Sequence, residues 1–265
     1  MEKYFKMAWR NMWRNWRRTA IASIAIVLGL VLLIFMEALI KGSDQAMFGN
    51  AVRLYGGNVQ IHAPGYRERA KQMPMLPLDN PDGVVQLAKA NPLVTTAYKR
   101  INTSGMVSAA GASAAVAITA IEPAQEAPYS LIADNISQGR FLDDQDEGAI
   151  LIGKGLADFL NVTVGDRIVL VGLRKDESMR QHSMNIIGIF NLGLADAEKG
   201  MVFINLPDAQ TMYNLRGQVT EIALILDQIG QEEALIKDLQ AQHPTHEVDY
   251  IRTLQPDITS TYNTQ

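Results

Sequence analysis

The hydrophobic and polar positions divide the chain into three textures. Ala20 to Met36 reads AIASIAIVLGLVLLIFM without a charge, and Ala38–Leu39–Ile40 extends the run beyond Glu37. As a helix, Thr19 to Ile40 rises roughly 33 Å, enough to cross a hydrocarbon core of about 30 Å. Ahead of this run, a 100° period gathers Phe5, Trp9, Met12 and Trp16 on one face, with Trp13 at its edge. Lys3, Lys6, Arg10, Arg14 and Arg17 take the other side. After it the runs shorten and alternate, as strands and short helices do.

The predicted elements follow from these patterns. The apolar helix continues as a stalk over residues 43–55 and stops at Gly56–Gly57. A strand follows over Asn58–His62, then a loop from Pro64 to Pro81. Asp79 or Asn80 caps a helix that ends before Asn91–Pro92. Three β-like runs come next, Val94–Ile101, Gly105–Ala110 and Ala114–Ile121. Beyond Pro123 the spacing predicts strands at Ala149–Ile152, Ile168–Val171, Met184–Phe190 and Met201–Ile204, with helices at Lys154–Leu160 and Pro207–Tyr213. Strand Val219–Leu226, helix Gln231–Gln242 and strand Glu247–Ile251 close the pattern. Strands and helices without strict βαβ succession read as α+β, with about 126–215 inserted between two halves of one sheet domain.

Charge sharpens the reading of the front end. Residues 1–19 carry six basic side chains against Glu2 alone, a net of +5, while the rest carries −9 of the overall −4. A basic tip on an acidic body points to anionic membrane lipids and away from nucleic acid. All three tryptophans lie in the leader, where their rings suit the headgroup level, so residues 1–18 read as a cytoplasmic interfacial helix. Phe5, Trp9, Met12, Trp13 and Trp16, with Arg10, Arg14, Arg17 and Arg18, are its membrane-interface residues. The basic flank puts the N-terminus in the cytoplasm and the main domain outside the inner membrane. A cleaved signal peptide competes, but Met36–Glu37–Ala38 lacks the small residue needed two positions before Ala38.

Candidate chemistry is sparse. There is no cysteine, hence no disulfide and no thiolate nucleophile or ligand. Gly148 to Lys154 imitates a phosphate-binding loop, but Gly155 stands where a Mg²⁺-binding hydroxyl belongs, and Ala149–Ile152 is strand-like. The acidic run Asp143, Asp144, Asp146 and Glu147 lacks EF-hand spacing and reads as a solvated turn. His243 and His246 have no third ligand in view. No catalytic, cofactor or metal residue is assigned, and no enzyme activity is expected. The loop Gly65–Leu78 is the remaining candidate: Tyr66, Met73, Met75 and Leu76 sit among Arg67, Arg69 and Lys71, a composition that fits a partner loop.

The order of motifs resembles the permease subunits of MacB-type ABC transporters, the superfamily that includes LolC/LolE and FtsX. The leader Ala8-Trp-Arg-Asn11 and Trp13-Arg-Asn-Trp-Arg-Arg-Thr19 resembles theirs. So do Gln138-Gly-Arg-Phe141, Ile150-Leu-Ile-Gly-Lys154, Leu156-Ala157, Leu160-Asn-Val162 and Val164-Gly-Asp166. Ile186-Ile-Gly-Ile-Phe190, Val202-Phe-Ile204, Asp208-Ala-Gln210, Thr220-Glu-Ile222 and Pro256 continue the likeness. The resemblance implies a porter-like sheet domain with an inserted second subdomain, an α+β periplasmic domain on a single N-terminal transmembrane helix. Its segments are residues 1–18, 19–42, 43–55 and 56–257, with 258–265 approaching a second span that the family has and this chain does not reach. It also implies an ABC ATPase subunit carrying ATP and Mg, a second permease copy or homologue, and a periplasmic or lipoprotein partner. Export or extraction of lipoproteins or lipids is the implied activity, with an FtsX-like relay to a periplasmic partner as the alternative.

Overall fold

The computed structural model describes residues 4, 6, 7, 9, 10, 14–174, 178–228, 230–242 and 245–250. Two compact units divide at Ala51–Val52. The first is dominated by α1 (Trp16–Tyr55), 40 residues and so about 60 Å long. Its apolar window is wholly unburied within the protein, with Ile21, Leu28, Leu33 and Phe35 all exposed, so this helix is a candidate membrane span. An uncovered apolar surface all round a helix is what lipid, rather than a protein core, accommodates.

The second unit is one continuous sheet of ten strands. Its first part is built by β1 (Val59–His62), the start of β2 (Val94–Ala109), β9 (Glu221–Leu226) and β10 (Glu247–Tyr250), in the order β10-β1-β9-β2, all antiparallel. Between β1 and β2 lies α2 (Pro81–Ala90). Asn80 caps it, accepting from Gly83 N–H at 3.3 Å, and Pro81 fills the first position, where no donor is needed. Of the two candidate caps, the structure selects Asn80.

The rest of β2 joins β3 (Ala112–Ile121), β5 (Ala149–Gly153), β6 (Arg167–Leu173), β7 (Met179–Phe190) and β8 (Met201–Asn205). Pairings β2-β3, β3-β8, β8-β5, β5-β7, β7-β6 and β6-β2 close these six strands into a ring, with β4 (Ile136–Gly139) added along β7. Short helices α3 (Pro123–Glu126), α4 (Leu131–Asp134), α5 (Lys154–Leu160), α6 (Ala195–Lys199) and α7 (Leu206–Tyr213) connect them, and α8 (Glu232–Gln242) precedes β10. One core cluster runs from Val59, Ile61 and Leu224 through Ile101 to Ile118, Ile152 and Ile204. Another, with Ile121, Leu151, Phe190 and Phe203, occupies the opposite face of β5 and β8.

Three boundaries differ from the sequence pattern. The expected break before Gly105 is absent, because β2 runs straight through it. A Cβ there would lie 2.4 Å from Val171 O, so the glycine permits the close pass of β6 instead of ending a strand. Strand β7 starts five residues early, on exposed residues held by pairing to β6. The second part of the sheet also takes Ile101–Ile121, so it extends ahead of the expected insertion at 126–215. Residues 258–265 lie outside the described residues.

Candidate functional site

The end of α1 is where buried polar chemistry concentrates. Tyr55 ends the helix, and Gly56 turns the chain with φ +85°, a left-handed conformation. The last helical carbonyls need partners, and the sheet supplies them. Arg100 Nη1 donates to Tyr55 O at 2.8 Å, and Gln60 Nε2 donates to the same oxygen at 3.1 Å. Tyr98 Oη donates to Gly56 O at 2.5 Å. Tyr98 and Arg100 share one face of β2 by the two-residue period, so a single strand delivers both.

Arg100 is itself held. Its Nε donates to Glu126 Oε2 at 2.8 Å, and its Nη2 pairs with Glu126 Oε1. Both side chains are buried. Burial alone would lower the arginine pKa, but the Glu126 carboxylate outweighs it and the net shift is upward. Nearer the surface, Arg53 pairs with Asp134 and reaches Ser130 O at 3.5 Å. Two arginines thus tie the helix end to α3 and α4.

A row of ionisable side chains crosses the sheet from this point. Glu247, His62, Glu221 and Arg100 are successive register partners on β10, β1, β9 and β2. His62 stacks flat on Tyr66, with ring centroids 3.6 Å apart. Its Nδ1 lies 3.2 Å from Thr220 O and its Nε2 lies 3.3 Å from Gln60 Oε1. Glu221 Oε2 lies beyond, 3.8 Å from Nε2. Burial drops the His62 pKa to about 3. Burial likewise pushes Glu221 up to about 7, against the opposing pull of Arg100 and of the Asn102 hydrogen bond. Among the described residues Glu221 Oε1 has no hydrogen-bond partner, which adds to the cost of holding a charge there.

The predicted partner loop is anchored to the same row. Glu247 accepts from Gly65 N–H at 2.8 Å and Arg67 N–H at 2.7 Å, and Arg67 Nε donates to Asp249 at 3.0 Å. Tyr66 is buried against His62. Met75 and Leu76 are half-buried and pack on the core, while Met73 is half-buried with a left-handed backbone. At the front, Trp9, Arg10, Arg14, Trp16, Arg17 and Arg18 are helical and exposed, with the Arg17 guanidinium 5.8 Å from the Trp16 ring centre. Phe5, Met12 and Trp13 lie outside the described residues, as does His243.

The middle of the phosphate-loop imitation is buried strand, Ala149–Gly153 of β5, and a Cβ on Gly155 would lie 2.0 Å from Ala195 O. The acidic run forms a turn, with Asp146 paired to Arg140 and accepting from Asp143 N–H at 2.8 Å. Among the described residues no group of three or more acidic, histidine or cysteine side chains could hold a metal. Sequence reasoning passed over Tyr98, Arg100, Glu126, His62 and Glu221. The available signal was a charge at a buried strand position: Arg100 follows Tyr98 in phase, and Glu221 opens an otherwise apolar strand.

Comparison with known proteins is consistent with this architecture. The MacB-like periplasmic core domain family matches residues 19–242. The lipoprotein-releasing system transmembrane protein LolC of two Xylella fastidiosa strains is 25% identical over 223 residues, 82% of this chain and 51% of the relative. The chain therefore spans about half the length of the curated relatives it matches. Among solved structures, the extracellular domain of the noncanonical ABC-type transporter YknZ from Gram-positive bacteria aligns with a TM-score of 0.50 and 12% identity. It covers 72% of this chain and 98% of that one. The periplasmic region of MacB from Actinobacillus actinomycetemcomitans gives a TM-score of 0.49 at 13% identity, over 77% of this chain and 93% of that one.

Proposed function

Since the chain belongs to the MacB-like periplasmic core domain family, over residues 19–242, we propose that it is a permease subunit, or its N-terminal part, of a MacB/LolC-type ABC transporter. In this reading α1 spans the inner membrane with its N-terminus in the cytoplasm, and the sheet domain works outside. A separate ATPase subunit supplies ATP hydrolysis, and a second permease copy or homologue completes the machine. Movement of α1 enters the domain at Tyr55 and Gly56. The observation that carries the reading is the seat of that helix end: a buried guanidinium, fixed by Glu126, donates to Tyr55 O at 2.8 Å. Such a seat passes displacement into the sheet without slack, because the bond geometry is charge-assisted and dry. Lipoproteins or lipids extracted from the outer leaflet are the proposed cargo, by analogy with the lipoprotein-releasing relatives.

The test is made in cells. Protease added to spheroplasts should degrade residues after Lys41 and leave a small membrane-held N-terminal fragment. Depleting the protein should retain outer-membrane lipoproteins in the inner-membrane fraction of a sucrose gradient. Inserting four glycines between Tyr55 and Gly56 should reproduce that retention while the ATPase subunit still co-purifies. Protection of the domain from protease would overturn the topology, and an unchanged lipoprotein distribution would overturn the cargo.

A further inference from the structure

β8 accompanies β3 only from Ala117 onward, where Ala117 N–H donates to Gly200 O at 2.7 Å. Before Met201 the chain turns away into α6, so among the described residues Ala112–Val116 pair along one edge alone, with β2. Free edges are templates for another strand, and natural ones are blunted by lysine, proline, bulges or a covering segment. This edge reads Ala-Ser-Ala-Ala-Val and keeps regular register with β2 throughout. It therefore carries none of the three intrinsic safeguards.

A groove of about 350 Å³ runs beside it, lined by Ser113, Ala114, Ala115, Phe159, Asp196 and Lys199. Phe159 is 45% exposed, unusual for so large an apolar ring. The Lys199 ammonium sits 3.5 Å from its ring centre. A ring face attracts the cation but does not neutralise it.

We propose that the edge of β3 at Ala112–Val116 takes up an extended segment of a partner polypeptide as an added strand, with an apolar side chain on Phe159 and an acidic one on Lys199. The occupant follows from the chemistry. Alternating backbone donors and acceptors over five residues, about 17 Å, are matched only by another backbone in extended form. Small side chains at Ser113 and Ala115 leave room for it to lie flat. The added strand continues the line of β8 in the direction from which β8 itself departs.

The probe is the capped peptide acetyl-Thr-Val-Glu-Val-Thr-Val-Thr-amide, added to the full chain in detergent micelles. Saturating peptide should slow amide hydrogen exchange at Ser113 and Ala115 by about tenfold. The same peptide N-methylated on alternate residues should leave exchange unchanged. Lys199→Gln should weaken binding of the glutamate peptide about fivefold, with no effect on a glutamine version. Ser113→Pro should abolish binding, and Ala115→Arg should do the same without proline's effect on the hairpin. Unchanged exchange in the native protein, or equal binding of the N-methylated peptide, would overturn the proposal. Spontaneous cross-linking of Ser113→Cys between two chains would also overturn it, since a second copy would then occupy the edge.

Discussion

His62 and Glu221 are register partners on adjacent strands, with Nε2 3.8 Å from Oε2, and burial disfavours the charged form of each. Their effects on stability have opposite signs. The folded pKa of His62, about 3, lies below its ordinary 6.5, so its contribution is present above pH 6.5 and is lost as pH falls. The folded pKa of Glu221, about 7, lies above its ordinary 4.5, so its contribution is present below pH 4.5 and is lost as pH rises. Between the two unfolded values the slopes cancel.

Stability of the native domain should therefore be flat from about pH 4.5 to 6.5, and single substitutions should expose the hidden slopes. Glu221→Gln should become more stable with rising pH in that window, by about 1.4 kcal/mol per pH unit. His62→Gln should become less stable by a similar amount. Exchange of the Ala223 and Leu224 amides across pH reads both, and parallel slopes in the two variants would refute the opposition.

Removing one member of the Arg100–Glu126 pair strands the other in a dry site. Arg100→Met should cost roughly 3–5 kcal/mol in urea unfolding, whereas Arg100→Met with Glu126→Leu should recover most of it. The double variant keeps a folded domain but lacks the Arg100 donor to Tyr55 O, leaving that of Gln60. Exchange at the last turn of α1 should therefore rise in it while exchange in β5 stays as in the native chain.

Gly56 lies against that guanidinium. A Cβ there would sit 2.0 Å from Arg100 Cζ, and the backbone has φ +85°. Gly56→Ala should destabilise by about 2 kcal/mol or more, through both strain and displacement of Arg100. In the Arg100→Met background the steric part should vanish, so the two changes should be measurably non-additive.

For the leader, a peptide of residues 1–18 should bind anionic vesicles through both of its faces. Replacing Trp9, Trp13 and Trp16 by Ser should weaken partitioning at all salt concentrations. Replacing the six basic residues by Gln should weaken it chiefly at low salt, because screening acts over about 10 Å at 0.1 M. Unaltered partitioning in both peptides would remove the interfacial assignment.

Much of the fold was legible because its signals are local. The uncharged run of α1, the cap and proline of α2, and the apolar strand β5 each announce themselves within a few residues. The buried row was not, because its meaning is a matter of register: His62, Glu221 and Arg100 are far apart in sequence, and each alone resembles a surface charge. Tyr66 belongs with that row for a related reason. Its place in a loop rich in arginine and proline gives no sign of the stack on His62. The β3 edge left no sequence signal at all, since a missing neighbour is a property of the assembled sheet.

β2 has one further consequence. Arg100 is its last residue paired to β9, and Ile101 is its first paired to β3, so the strand passes from the first part of the sheet to the second at the residue that seats α1. An extended strand is nearly inextensible along its length and bends far more readily than it stretches. A pull applied at Arg100 would therefore pass along β2 as along a tie-rod, to the point where Gly105 lies against Val171 O. The closed ring of strands would then be loaded through its own seam, with no hinge needed between the two parts of the domain.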